Sequence, residues 1–268
     1  MNTDLLHSLD VSLPPGRIVL SGEGDGDAPA LWVSEGPVAF DLWKRVHAQH
    51  TRTGIWPLLL EPLRTGEEDF RPWSTGELFP EGMTSPGKHD AEELLAQWWE
   101  QHSPRVEDGV LDAPARTAVT APFGRFWPGP APATTPSADP EAAARECAGF
   151  FTDFRDEVRL GLVAAARGAD ALATAGWSGP MNYDNDFGKY AAVLRSWEDR
   201  FGVRVVGVGF ATLHLSVASP PVDKGQALRV AAEHFAFCPD NIWQGPDATL
   251  DAYAERLMGA DCWDFWWD

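Results

Sequence analysis

Apolar residues recur every three or four positions in some segments and every second position in others, and the change of period lays out the elements. Phe187, Tyr190, Leu194, Trp197 and Phe201 are spaced three, four, three and four, so they share one face of a helix that Asp184 or Asp186 can cap and Gly202 ends. Residues 203–210 are apolar almost throughout, which predicts a strand covered on both faces. Residues 212–217 alternate strictly, which turns Leu213, Leu215 and Val217 toward a core. Pro220 and Pro221 break that strand. Ala227, Val230, Ala231, His234, Phe235 and Cys238 then line one helix face, and Leu250, Tyr253, Ala254 and Leu257 line another. Residues 262–267 form a closing strand, with Trp263, Phe265 and Trp267 on one side and Trp266 on the other.

Upstream, residues 141–154 read as helix, 158–164 as extended, and 169–175 as a short helix ending at Gly176. Nearer the N-terminus, 17–20 and 31–34 are short apolar runs joined by an acidic, Gly-rich stretch, which predicts a hairpin. A helix over 38–50 places Ala39, Leu42, Trp43, Val46 and His50 on one face, and 55–60 reads as a buried strand. Ala91, Leu94, Leu95, Trp98 and His102 mark a further helix that Ser103-Pro104 ends. The interval 61–90, rich in Gly, Pro and acid, is expected to be a long surface loop. Residues 128–140, PGPAPATTPSADP, hold five prolines and little apolar bulk, and read as a linker. The expected organisation is therefore an α/β region over 1–127, a linker over 128–140 and an α+β domain over 141–268. LWKRVHAQHTRTGIWPLLL and VLRSWEDRFGVRVVGVGF share a helix, turn and strand, a pattern too common in α/β chains to establish a repeat.

Charge alters the functional picture more than size does. Asp and Glu outnumber Lys and Arg by 40 to 21, a formal charge of -19 that repels phosphate backbones and anionic lipid heads. Nucleic acid and membranes are thus unexpected partners, whereas a basic protein would be drawn in; the same acidity also keeps a chain with 13 Trp soluble. Residues 1–10 show no secretory signal pattern, and no run approaches the length of a membrane span. The three cysteines, Cys147, Cys238 and Cys262, contain no C-x-x-C spacing, which favours reduced thiols and a cytoplasmic location.

The candidate chemistry centres on AAEHFAFCPDN, where His234 and Cys238 stand four residues apart on one helix face, with Glu233 and Asp240 close by. Such a pair can give two zinc ligands, with Cys262 or His214 completing a tetrahedral set, or a thiol nucleophile with an adjacent base. Both residues also fall on the helix's apolar stripe, where a packed thiol and a hydrogen-bonded histidine are ordinary. Thr212, His214 and Ser216 form a polar row that suits either a ligand or partner strand, or a solvated sheet face. Asn182, Asp184 and Asp186 alternate as in a calcium loop, but Phe187 and Val193 occupy the positions that need Gly and Glu, so capping explains them better. Gly22, Gly24 and Gly26 lack the following helix of a phosphate loop, and GWSG lacks the spacing of a nucleophile elbow.

Trp177 with Gly179, residues 197–202 (WEDRFG), Pro220-Pro221, residues 233–240 (EHFAFCPD) and the terminal FWWD follow one another in an order that resembles the bacterial family named domain of unknown function 4253, over about 159–268. The resemblance implies a compact α+β domain whose FWWD strand joins the sheet, and it brings no activity, cofactor or catalytic residue. The fold expected is α+β, a mixed sheet with helices packed on it, closed by the FWWD strand and preceded by a smaller α/β part. The function expected is a non-catalytic acidic module that binds another, basic protein, without cofactor or metal, as an inhibitor or toxin-neutralising partner would. The alternative is an enzyme or small-ligand binder using Glu233, His234, Cys238, Asp240 and His214.

Overall fold

IWPLLL carries no polar side chain, and every residue of this strand is buried, a property that places it inside a sheet with both faces covered. The chain is described by a computed structural model over residues 3–22, 28–66, 69–103, 118–135 and 137–268. Seven strands form one sheet: β1 (Gly16–Leu20), β2 (Pro29–Pro37), β3 (Ile55–Leu60), β4 (Arg159–Ala164), β5 (Arg204–Val208), β6 (Thr212–Ser216) and β7 (Cys262–Trp266), in the order β1-β2-β4-β3-β5-β6-β7. All neighbours are antiparallel except β3 and β5, which run parallel and make the sheet mixed. The fold is therefore α+β, with the C-terminal strand in the sheet. No helix among the described residues is long and apolar enough to cross a membrane.

Helices cover both faces. Helices α1 (Phe40–His47) and α3 (Pro140–Asp153) set Trp43, Val46, Ala144, Cys147 and Phe151 against Ile55, Leu59, Leu160 and Val206. On the other face α2 (Ala91–His102), α4 (Phe187–Phe201), α5 (Lys224–Phe237) and α6 (Leu250–Leu257) build the larger core around Trp197, Phe235, Phe237, Trp263 and Phe265. Caps follow the sequence: Asp186 accepts from the Gly188 N–H at 3.0 Å, and Gly202 closes α4 in the left-handed region at φ 63°. The helix-turn-strand units ending in β3 and β5 lie side by side, but α1 and α4 pack on opposite faces.

Three expectations are corrected. Strand β4, from the C-terminal part, lies between β2 and β3, from the N-terminal part, so regions 1–127 and 141–268 share one sheet and its cores. The Pro-rich segment is packed rather than free: Ala131 is 1% exposed, and the carbonyls of Pro128 and Pro132 accept from Arg229 and Gln226, each at 3.0 Å. An extended proline segment keeps its carbonyls available, and polar side chains of α5 reach them; Pro136 lies outside the described residues. The interval 61–90 likewise buries Phe70, Trp73 and Leu78, with the Trp73 indole donating to the Glu61 carbonyl at 2.8 Å, so large aromatics anchor what the polar composition marked as a surface loop. Within it Glu67 and Glu68 are outside the described residues, as are Gly24 and Gly26 of the N-terminal hairpin and Pro104 after α2.

Candidate functional site

The segment 233–240 does not converge on one pocket; its polar side chains are engaged one by one, with only His234 Nε2 among them buried without a hydrogen-bond partner. Glu233 is fully buried and accepts from the Ala131 N–H at 2.7 Å, the Trp197 indole at 2.8 Å and the Arg200 guanidinium at 2.8 Å. It thereby joins α4, α5 and the Pro-rich segment. His234 shares a hydrogen bond between Nδ1 and the Tyr253 hydroxyl at 3.1 Å and packs edge-on against Trp263 and Phe265. Burial, with the nearby Arg200 charge, pushes it down to about 3 and keeps the ring neutral. The Cys238 thiol donates to the Trp266 carbonyl at 2.9 Å, and burial raises it far out of the nucleophilic range. Asp240 accepts from the Tyr183 hydroxyl at 2.7 Å and the Asp268 N–H at 3.1 Å, which fastens the C-terminus. No group of three or more His, Cys, Asp or Glu able to hold a metal occurs among the described residues.

His214 stands apart from this set. The polar row Thr212, His214 and Ser216 is not a solvated face: His214 is 8% and Ser216 0% exposed, because α3 lies over them with Phe151 edge-on to the His214 ring at 4.9 Å. Strand β7 pairs along the other side of β6, so no strand edge is left there for a partner. Across that pairing His214 is in register with Asp264, and its Nδ1 meets Asp264 Oδ1 at 2.6 Å while Nε2 meets Glu61 Oε2 at 2.9 Å. Glu61 follows β3, pairs with Arg155 through its other oxygen, and lies 3.3 Å from the Thr212 hydroxyl. Arg155 rests on the Phe151 ring, 4.0 Å from its centroid.

The electrostatics follow from this packing. Burial works against a charged His214, but the hydrogen bonds and charges of Asp264 and Glu61 outweigh it and raise the ring above its usual 6.5. Burial works against a charged Glu61 too, and His214 with Arg155 outweighs that and lowers the carboxyl. The cluster is thus a histidine ring held between two carboxylates that favour its protonated form. Of the two carboxylates Asp264, whose side chain is 69% exposed, is the freer. Sequence reasoning selected His214 but missed Glu61, Arg155 and Asp264. Asp264 was legible in principle, since it alternates with Trp263 and Phe265 on β7, whereas Glu61 needed the parallel neighbour relation of β3 and β5.

Two cavities open beside this cluster, with Thr212 and Trp266 on the wall of both. The first, of about 540 Å³, lies beyond the C-terminal ends of β3 and β5, lined by Glu61, Phe154, Asp156, Glu157, Phe210 and Trp266. Its aromatic wall is open to solvent: Phe154 is 70% and Trp266 41% exposed, and Phe150, 64% exposed, packs on Phe154 with centroids 4.6 Å apart. The second, of about 470 Å³, lies along β7 and is lined by His214, Cys262, Asp264 and Arg256 among others. Its far side is closed by Asn241, whose amide donates to the Asp264 carbonyl at 2.6 Å and accepts from the Trp266 N–H at 3.0 Å, satisfying the sheet edge as a strand would.

Residues 159–268 match the family described as domain of unknown function (DUF4253). The match covers β4 to β7 and the helices between them, including His214, Cys262 and Asp264, while Glu61 and Arg155 precede it. No curated protein and no solved structure matches the chain.

Proposed function

We propose that the protein is a binding module for a basic protein segment, and that the first cavity is where that segment docks. The observation that carries this reading is the joint presence of exposed aromatic faces, Phe154 and Trp266, with Phe150 packed behind Phe154, and of Glu61, Asp156 and Glu157 around one groove. Aromatic faces attract guanidinium and ammonium groups, and neighbouring carboxylates complete the match. Arg155 shows the arrangement within the chain itself, lying on Phe151 while its guanidinium pairs with Glu61. Large exposed aromatics beside a polar rim are the composition of an interaction surface, where a few such residues supply most of the affinity.

The formal charge of -19 steers a cationic partner toward the groove and accelerates its encounter at low salt. The segment 233–240 contributes to this function only through stability, since Glu233, Cys238 and Asp240 are each hydrogen-bonded within the fold and His234 is fully buried. A binding module of this kind, acting as an inhibitor or neutralising partner inside the cell, needs no catalytic group. The Asp156→Asn, Glu157→Gln double variant tests the electrostatic part. With an Arg-rich peptide as probe, its association rate should fall several-fold at low salt while its melting temperature changes little, because surface charges contribute little to folding and Gln at 157 keeps an acceptor oxygen for the Gly66 N–H. An unchanged association rate would remove these carboxylates from the binding surface.

A further inference from the structure

Cys147 and Cys262 come from elements 115 residues apart, yet their sulfurs face each other at 2.7 Å. Cys147 lies on the buried side of α3, in the core of the smaller sheet face; Cys262 opens β7 and is half-buried on the same face. Both are free thiols, and the third, Cys238, is buried elsewhere and bonded to the Trp266 carbonyl. The two sulfurs differ in access. Cys262 lines the cavity that also exposes His214 and Asp264, whereas Cys147, 7% exposed, does not line it.

We propose that Cys262 and Cys147 form a peroxide-reactive dithiol, in which a small hydroperoxide entering beside His214 converts the pair into an intramolecular disulfide. The proton shared between the thiols favours this division of labour. The hydrogen bond shared with Cys147, against burial and the charges of Asp264 and Asp261 and with help from His214, holds Cys262 below the usual thiol range; the same contact together with burial holds Cys147 well above it. The more exposed sulfur, on the cavity wall, is therefore the one that attacks, and the buried one resolves. The Cys262 thiolate bonds to one peroxide oxygen and the O–O bond breaks. That oxygen stays on sulfur as a sulfenic acid, while the other leaves as hydroxide or alkoxide and takes up the proton lost by Cys262. The Cys147 sulfur then bonds to the Cys262 sulfur, the S–O bond breaks, and the departing hydroxide takes the Cys147 proton as water. Two thiols are oxidised by two electrons, and one hydroperoxide is reduced to water and an alcohol, or to two waters from hydrogen peroxide.

The product ties α3 to the edge strand β7, whose outer residue Trp266 forms part of the proposed binding groove. The chemistry itself stands independently of that groove. The test uses the full-length reduced protein with hydrogen peroxide as probe at equimolar concentration. Thiols titrated in denaturant should fall from three to one, the intact mass should drop by two hydrogens, and a non-reducing peptide map should join Cys147 to Cys262. In Cys147→Ser, a sulfenic-acid trap should label Cys262; in Cys262→Ser, Cys147 should stay reduced under the same exposure. The Cys238→Ser variant should still lose two thiols. The proposal is overturned if all three thiols persist in protein whose near-ultraviolet circular dichroism is native, or if the bond formed involves Cys238 or a second chain.

Discussion

Glu233→Gln removes a single negative charge from a fully buried position and leaves its shape almost unchanged. Glu233 takes four donors, the Ala131 N–H, the Trp197 indole and two nitrogens of Arg200, and Arg200 is itself only 16% exposed. Glutamine keeps one acceptor oxygen and turns the other into an NH2 group that faces donors, so at least two hydrogen bonds become donor-donor contacts. Hydrogen bonds to a charged group contribute about 1.5 to 3 kcal/mol each, and breaking a buried ion pair from one side costs about 3 to 5 kcal/mol. Part of the Arg200 charge can recover water, which places the expected loss near 3 to 4 kcal/mol, a large share of a total of about 5 to 15. For a chain of this length each kcal/mol shifts the melting temperature by roughly 2 to 4 °C, so a fall of roughly 10 °C should be seen. Urea unfolding followed by Trp fluorescence measures it, with exposed Glu255→Gln as the reference that changes little. A loss below about 1 kcal/mol for Glu233→Gln would refute the structural role assigned here and return Glu233 to the list of functional candidates.

Two further outcomes test the frame around the groove. Deleting residues 263–268 removes Trp263, Phe265 and Trp267, each no more than 2% exposed, and at about 3 to 5 kcal/mol per large aromatic the loss matches the whole stability, so the truncated chain should show no cooperative unfolding; a cooperative transition would place the Trp cluster outside the core. Glu141 is held down to about 2 by the His47 ring 2.9 Å away, against burial and with support from Arg204, so its contribution is present above about 4.5 and is lost as pH falls toward 2. Glu141→Gln should flatten the stability profile across that window in acid titrations, and an unchanged profile would contradict the pairing.

Periodicity made much of this fold legible. The spacing from Phe187 to Phe201 delivered α4 with all five named residues buried, and the alternation of 262–267 placed Trp263, Phe265 and Trp267 in the core with Trp266 outside. What local pattern cannot carry is neighbourhood between distant segments. The insertion of β4 between β2 and β3 merges two regions that a proline-rich stretch seemed to separate. The same blindness affected the site. The sequence put Glu233, His234, Cys238 and Asp240 together because they are close along the chain, yet His234 and Cys238 lie on an apolar helix stripe that points into the core. His214, Glu61, Asp264, Cys147 and Cys262 come from three strands or strand ends and one helix, and only the sheet order brings them to one place. Arg155 and Phe154 sit just past the end of α3, where no period remains to mark them.

The aromatic wall of the groove offers the most direct test of the binding account, because Phe154→Ala and Trp266→Ala alter it without changing the charge of the chain. Binding of a fluorescent Arg-rich peptide, measured against the wild type and the double variant at low and at physiological salt, separates a specific groove from general attraction to an acidic surface. Exposed hot-spot aromatics typically contribute about 2 kcal/mol or more each when truncated, so the double variant should bind at least tenfold more weakly at both salt concentrations while retaining the wild-type melting temperature. Equal affinity of the two proteins, with binding that vanishes at physiological salt, would show that the peptide senses only the net charge and would contradict a docking site in this groove.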